Sequence, residues 1–128
     1  MTRKRFPRTP YVLFLDDERT PLKSFRWSFP SHWLWVVVRS VEEAKEIVLE
    51  RGRLLKHVCF DHDMGEGKDT GYDFAKWLVE QDMDKKISIS KSLTWSIHSG
   101  NPIGSENIDY LLKNYFKNKI QKKKEDNK

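Results

Sequence analysis

Carboxylates gather where two apolar runs of the sequence end. Asp16 and Asp17 follow the run Tyr11–Leu15, and Asp61 and Asp63 follow a second such run. Packed carboxylates repel one another, and burying them is costly unless a cation compensates. Oxygen ligands at this density suit Mg²⁺ or another hard divalent cation. We therefore predict a metal site made by Asp16, Asp17 and Asp61, with Asp63 as a further ligand.

The same residues also allow an interpretation without a metal. Asp17 and Asp61 can cap loops, or they can pair with the side chains of Arg19 and Lys68. Asp63 can serve as a turn residue that stabilises its loop. The metal interpretation removes the repulsion that the sequence creates, and we take it as the leading one.

Two histidines accompany the carboxylates. His98 follows the predicted strand residues "TWSI", and His62 stands between Asp61 and Asp63. An imidazole titrates near neutral pH and can act as a general acid or base, so we predict His98 and His62 as catalytic residues. Asp61 is the third predicted catalytic residue, because its carboxylate could attack phosphorus directly. The alternatives are a buried structural histidine at position 98 and a surface histidine at position 62.

The segment "HSGNPIGSENI" has the composition of a phosphate seat. Backbone N–H groups at the start of a helix attract anions, and hydroxyl and amide side chains add donors. We predict phosphate contacts from Ser99, Asn101, Gly104 and Ser105, with Ser105 as the cap of the last helix. The glycine-rich stretch "MGEGKDTG" predicts either a flexible loop or a lid that brings Lys68 to the phosphate.

Alternating strands and helices must position these residues. The four predicted strands lie in "YVLFLDD", "LWVVVRS", "HVCFD" and "SLTWSIHS". Pro21 and Pro30 leave room only for a short helix after the first strand. The pattern predicts a parallel sheet in a three-layer α/β sandwich, with its ligand site at the carboxyl ends of the strands.

Three further helices have recognisable ends. Ser40 with Glu43 forms a capping pair, and Gly52 is placed to end that helix. Thr70 with Asp73 caps the next helix. The last helix is predicted from the apolar spacing of residues 108–116.

Composition and charge indicate the domain organisation of the protein and the compartment in which we expect it. The chain has 128 residues and a formal net charge of +5, and much of the positive charge lies at its two ends. We predict a basic segment 1–9, one domain over 10–118 and a basic, disordered tail 119–128. The sequence shows neither a long apolar segment nor a signal-peptide core, and its single cysteine, Cys59, excludes an internal disulfide. We expect a monomeric cytoplasmic protein that does not enter membranes.

The order of these motifs resembles a known family. An acidic pair after the first strand and Asp61 after the third resemble the receiver domain of response regulators, whose phospho-acceptor aspartate ends the third strand. Unlike ordinary receivers, the chain has His98 at the end of the fourth strand and shows no fifth strand with a lysine. "LFLDDER", "DHD", "TG" and "HS-NP-G--NI" are similar to the cyclic-phosphate processing receiver-like domain, over about residues 10–118.

That resemblance implies a metal-dependent phosphoesterase that acts on a cyclic or terminal phosphate of a nucleotide or RNA. Asp61 would serve as a metal ligand, as a nucleophile or as a phospho-acceptor. One alternative is a non-catalytic receiver-like module that binds a phosphorylated ligand or a protein partner. Another is an accessory protein that binds nucleic acid through its basic ends, with strongly salt-dependent affinity.

Overall fold

Four strands and four α-helices alternate along the chain. The computed structural model describes residues 8–61, 64–65, 67–98 and 102–126, with side chains up to residue 119. The strands are β1 Tyr11–Leu15, β2 Leu34–Val38, β3 Leu55–Phe60 and β4 Thr94–Ile97. The helices are α1 Lys23–Arg26, α2 Val41–Arg51, α3 Gly71–Met83 and α4 Pro102–Asp126, with a 3₁₀ turn at Gly52–Leu54.

The strands form one parallel sheet in the order β2-β1-β3-β4. All five residues of the central strand β1 are buried, as expected for an apolar strand with both faces covered. The predicted α/β fold with a parallel sheet of four strands is confirmed. Within the described residues no fifth strand follows β4.

Three helices cover one face of the sheet and form the larger core. Their inward residues include Ala44 and Val48 of α2, Leu78 of α3, and Ile108 and Leu112 of α4, all buried. These positions repeat with the spacing of one helical face, and burying them supplies most of the hydrophobic stabilisation.

The opposite face carries a thinner layer. Val12, Phe14 and Cys59 are buried there under aromatic side chains that include Phe25 of α1 and Phe29. Helix α1 has only four residues, which agrees with the prediction that Pro21 and Pro30 prevent a long helix.

Helix starts follow local sequence rules in two of three predicted cases, and Gly52 ends α2 as predicted. The Ser40 side chain accepts a hydrogen bond from the Glu43 N–H, and Thr70 with Asp73 forms a complete capping box. The prediction that Ser105 caps the last helix is wrong, because α4 already begins at Pro102. Proline suits the first turn of a helix, where its missing N–H has no partner to lose.

Helix α4 extends through most of the segment 119–128, for which we predicted disorder. It runs for 25 residues to Asp126. Lysine, glutamine and glutamate are good helix formers, and neither proline nor glycine interrupts the sequence after Gly104. Among the described helices, none is both long and apolar enough to cross a membrane.

Candidate active site

The ends of three strands bring three polar residues to one edge of the sheet. The parallel ladder continues one residue beyond the strands, since Asp61 N–H donates to Leu15 O (3.1 Å) and His98 N–H donates to Phe60 O (2.9 Å). Asp16, Asp61 and His98 therefore lie side by side. The strand order reverses between β1 and β3, which is where open α/β sheets bind ligands.

Their side chains form a compact group. One carboxylate oxygen of Asp16, one of Asp61 and one imidazole nitrogen of His98 all lie within 4.8 Å of one another. Asp16 is fully buried and Asp61 is 4% exposed, while His98 is half-buried. The structure thus brings together two of the predicted ligands and the predicted catalytic histidine, and their roles stay predictions.

Both oxygens of the buried Asp16 carboxylate have close partners. Asp16 Oδ1 accepts from the N–H groups of Glu18 (2.9 Å) and Arg19 (2.8 Å). Asp16 Oδ2 lies 3.0 Å from His98 Nε2, close enough to accept a hydrogen bond from it. The carboxylate oxygens of Asp16 and Asp61 converge beside His98, and hard oxygen donors of this kind bind divalent cations. The donor set therefore fits a cation.

Arg19 is the cation that the structure itself places at these carboxylates. Its Nε lies 3.0 Å from Asp16 Oδ2 and its Nη2 lies 3.6 Å from Asp61 Oδ2. Nη2 also donates to the carbonyl oxygen of His98 (3.1 Å). The alternative in which Asp61 pairs with Arg19 is therefore observed. The Arg19 side chain is 59% exposed, so part of its guanidinium remains accessible to an anionic ligand.

Arg39 stabilises the backbone that carries Asp16 and Arg19, and it was not predicted from the sequence. Its Nη1 donates to the carbonyl oxygens of Asp16 (3.1 Å) and Arg19 (2.5 Å). Arg39 directly follows β2, so the rule that ligand sites lie at the carboxyl ends of strands could have identified it.

The surroundings of Asp16 and His98 lower the pKa of both side chains. Burial alone would raise the pKa of Asp16, but the N–H groups of Arg19 and Glu18 and the Arg19 charge outweigh it and hold that pKa below its usual value. Burial lowers the pKa of His98, and Asp16 opposes this only in part. Asp16 is therefore anionic and His98 is neutral at pH 7.

An aromatic contact fixes the plane of the imidazole. The rings of Phe14 and His98 stack with centroids 4.6 Å apart and an angle of 5° between their planes. Phe14 lies two residues before Asp16 on β1, so one strand both positions the histidine and supplies its carboxylate neighbour.

The other predicted site residues are placed as follows. Asp17 is half-buried. Gly65 lies close to both Asp17 and Lys68, since a Cβ atom added to this glycine would be 3.9 Å from Asp17 Oδ2 and 3.6 Å from Lys68 Cγ. Lys68 is exposed, Gly104 is buried and Ser105 is half-buried in the first turns of α4. Four predicted residues lie outside the described residues, namely His62, Asp63, Ser99 and Asn101.

The strand order and the acidic edge define a receiver-like α/β domain. The sequence model of the cyclic-phosphate processing receiver domain matches residues 11–114, and the chain belongs to that family. No curated protein matches the chain. The chain is similar to a solved structure, that of the response regulator LqsR of Legionella pneumophila, with 16% sequence identity and a TM-score of 0.39. That alignment covers 86% of this chain and 46% of LqsR, so the chain spans about half the length of this relative.

Proposed function

We propose that the protein is a metal-dependent phosphoesterase that opens or removes a cyclic or terminal phosphate of a nucleotide or RNA. The observation that carries this proposal is the convergence of Asp16, Asp61 and His98 within 4.8 Å at the carboxyl edge of the sheet. Membership of the cyclic-phosphate processing family supports the substrate class.

Asp16 and Asp61 would hold the cation, with Asp17 and Asp63 as further ligands, and oxygen donors of this kind favour Mg²⁺. When bound, the ion would neutralise charge on the phosphoryl oxygens. It would also relieve the repulsion between the two carboxylates, a task that Arg19 performs in the structure at 3.0 and 3.6 Å.

His98 is the proton carrier of the proposed reaction. Because its pKa is lowered by burial, the neutral imidazole accepts a proton from an attacking water. A P–O bond of the phosphate ester then breaks, and the proton passes to the leaving oxygen. His62 would assist this transfer.

Arg19 and the start of α4 would hold the phosphate. The guanidinium of the exposed Arg19 side chain lies beside both carboxylates and offers N–H donors that match phosphate geometry. Ser99, Asn101, Gly104 and Ser105, together with Lys68, would contribute the contacts that the sequence predicts.

The direct test is hydrolysis of a nucleoside 2′,3′-cyclic phosphate by the full chain with Mg²⁺. We expect turnover that a chelator abolishes and that excess Mg²⁺ restores. His98→Ala should abolish turnover without unfolding the protein. Turnover that survives both the chelator and His98→Ala would overturn the proposal.

A second candidate function rests on the contact between Arg19 and Asp61. A cation 3.6 Å from Asp61 Oδ2 would stabilise a phosphoryl group carried by that carboxylate, as in a regulatory receiver-like module. This function predicts stable labelling of Asp61 by acetyl phosphate and no turnover of cyclic phosphates. Labelling that persists in Asp61→Asn would exclude it.

A further inference from the structure

A basic groove lies at the edge of the sheet opposite to the candidate active site. The end of α2, the 3₁₀ turn and the turn after α3 enclose about 970 Å³. Its lining includes one acidic side chain, Glu50, and five cationic ones, which are Arg8, Arg51, Arg53, Lys85 and Lys86.

Most of these cations are not neutralised by the protein. Within the described part of the chain, the side chains of Arg8, Arg53, Lys85 and Lys86 form no ion pair, and all four residues are exposed. Like charges that share a concave surface repel one another and create a positive potential that attracts anions. The basic groove therefore has the charge of an anion-binding site.

The turn after α3, which carries Lys85 and Lys86, has a strained backbone. Lys85 has a φ of 60°, in the left-handed region that favours glycine. It occupies the glycine position of a helix-ending motif, since Lys85 N–H donates to Asp82 O (3.2 Å) and Lys86 N–H donates to Gln81 O (3.0 Å). Lysine costs about 1 kcal/mol more than glycine at such a position. Stability alone would favour glycine at position 85, yet the chain has a lysine there.

A buried carboxylate keeps this turn in place. Asp82 accepts hydrogen bonds from Ile89 N–H (2.9 Å) and from Lys119 Nζ (2.8 Å), and Lys119 also donates to Ile89 O (2.8 Å). The segment that carries Lys85 and Lys86 is thus fixed at both ends.

We propose that the basic groove binds the phosphodiester backbone of a nucleic acid chain. Two of its four exposed cations, Arg8 and Arg53, are arginines, whose planar guanidinium groups match phosphate oxygens better than a lysine does. A concave groove suits a flexible polyanion and does not suit a flat membrane surface. The groove lies at the opposite end of β3 from Asp61, about 20 Å away at 3.3 Å per residue. The proposal therefore goes beyond the proposed function and does not depend on a metal.

The test measures binding of a labelled single-stranded RNA of about 20 nucleotides by the full chain in the presence of a chelator. The chelator disables the candidate active site, so binding here and catalysis there can fail separately. Arg53→Ala/Lys86→Ala should weaken binding about tenfold and reduce the magnitude of the log-log salt slope by about 1.4, at about 0.7 per phosphate contact. The matched control is Lys76→Ala/Lys117→Ala, which removes the same charge from exposed helix positions outside the groove.

Lys85→Gly separates binding from folding. This variant should raise the melting temperature, because glycine relieves the left-handed strain, and it should weaken RNA binding at the same time. Equal losses in the groove variant and the control would overturn the proposal, because binding would then reflect net charge. Preference for phosphatidylserine vesicles or polyglutamate over RNA would overturn it as well.

Discussion

The Nε atom of Arg19 lies 3.0 Å from Asp16 Oδ2, so an exposed guanidinium compensates a fully buried carboxylate. The same side chain reaches Asp61 at 3.6 Å. A bound divalent cation would neutralise the same two carboxylates, and Arg19 and the ion therefore have overlapping electrostatic roles.

Arg19→Gln should consequently make stability depend on the metal. In a chelator the variant should lose about 1 kcal/mol of unfolding free energy, since the carboxylates then repel without compensation and the exposed pair is screened by solvent. Added Mg²⁺ should raise its melting temperature more than that of the wild type, measured by thermal unfolding. Arg26→Gln, at an exposed position on α1, is the control. A larger Mg²⁺ effect on the wild type would refute this prediction.

Phe14 should act on catalysis by positioning His98. Phe14→Leu removes the stacked ring and should lower kcat about tenfold, or about 1.4 kcal/mol in activation free energy, with little change in KM. Phe14→Tyr keeps the ring and should restore kcat. Val12→Ala, which creates a cavity on the same sheet face away from the site, should reduce stability without lowering kcat. A kcat loss in Val12→Ala of the same size would mean that the effect is one of packing.

His57 should make the protein sensitive to mild acid. Burial lowers the pKa of His57 from 6.5 to about 4, and its ring nitrogens lie 2.7 Å from Thr94 Oγ1 and 3.0 Å from Ser96 Oγ. Between these pH values the unfolded chain takes up a proton and the folded chain does not, so stability falls as pH falls from 6.5 to about 4. The loss amounts to about 3 kcal/mol at 1.36 kcal/mol per pH unit.

Urea unfolding across this pH range measures that effect. His57→Gln should flatten the dependence, whereas the exposed His32→Gln should leave it unchanged. An equally steep dependence in His57→Gln would assign the effect to other groups.

Two lysines on α4 form ion pairs of different strength. Lys119→Ala should cost about 2 kcal/mol of unfolding free energy, because it leaves the buried Asp82 without its cation, reduced here by the 29% exposure of the lysine. Lys113→Ala breaks an exposed pair with Asp109 and should change stability by less than about 0.5 kcal/mol. Urea unfolding of both variants at pH 7 measures the difference, and equal costs would contradict it.

The strands and the meeting of Asp16, Asp61 and His98 could be predicted because they follow from local pattern. Apolar runs define parallel strands, and residues that follow such strands must share one edge of the sheet. The 3.0 Å approach of His98 to Asp16 could not be predicted, since it depends on the exact register of β3 with β4.

The position of the Arg19 side chain and the start of α4 are two other features that could not be predicted from the sequence. Arg19 has a long flexible side chain, and its direction is set by the loop after β1 and by Arg39, which lies 20 residues further along the chain. At the start of α4, Pro102 and Ser105 offer competing starts, and local rules alone do not rank them.

A calorimetric titration of the protein with Mg²⁺ tests the proposed metal site directly. The wild type should bind one ion, and Asp61→Asn should bind it at least about tenfold more weakly. His98→Ala should bind it nearly as well as the wild type, because His98 is proposed as a proton carrier and not as a ligand. A wild type that binds no divalent cation, or an Asp61→Asn variant that binds as tightly as the wild type, would contradict the central claim that Asp16 and Asp61 form a metal site.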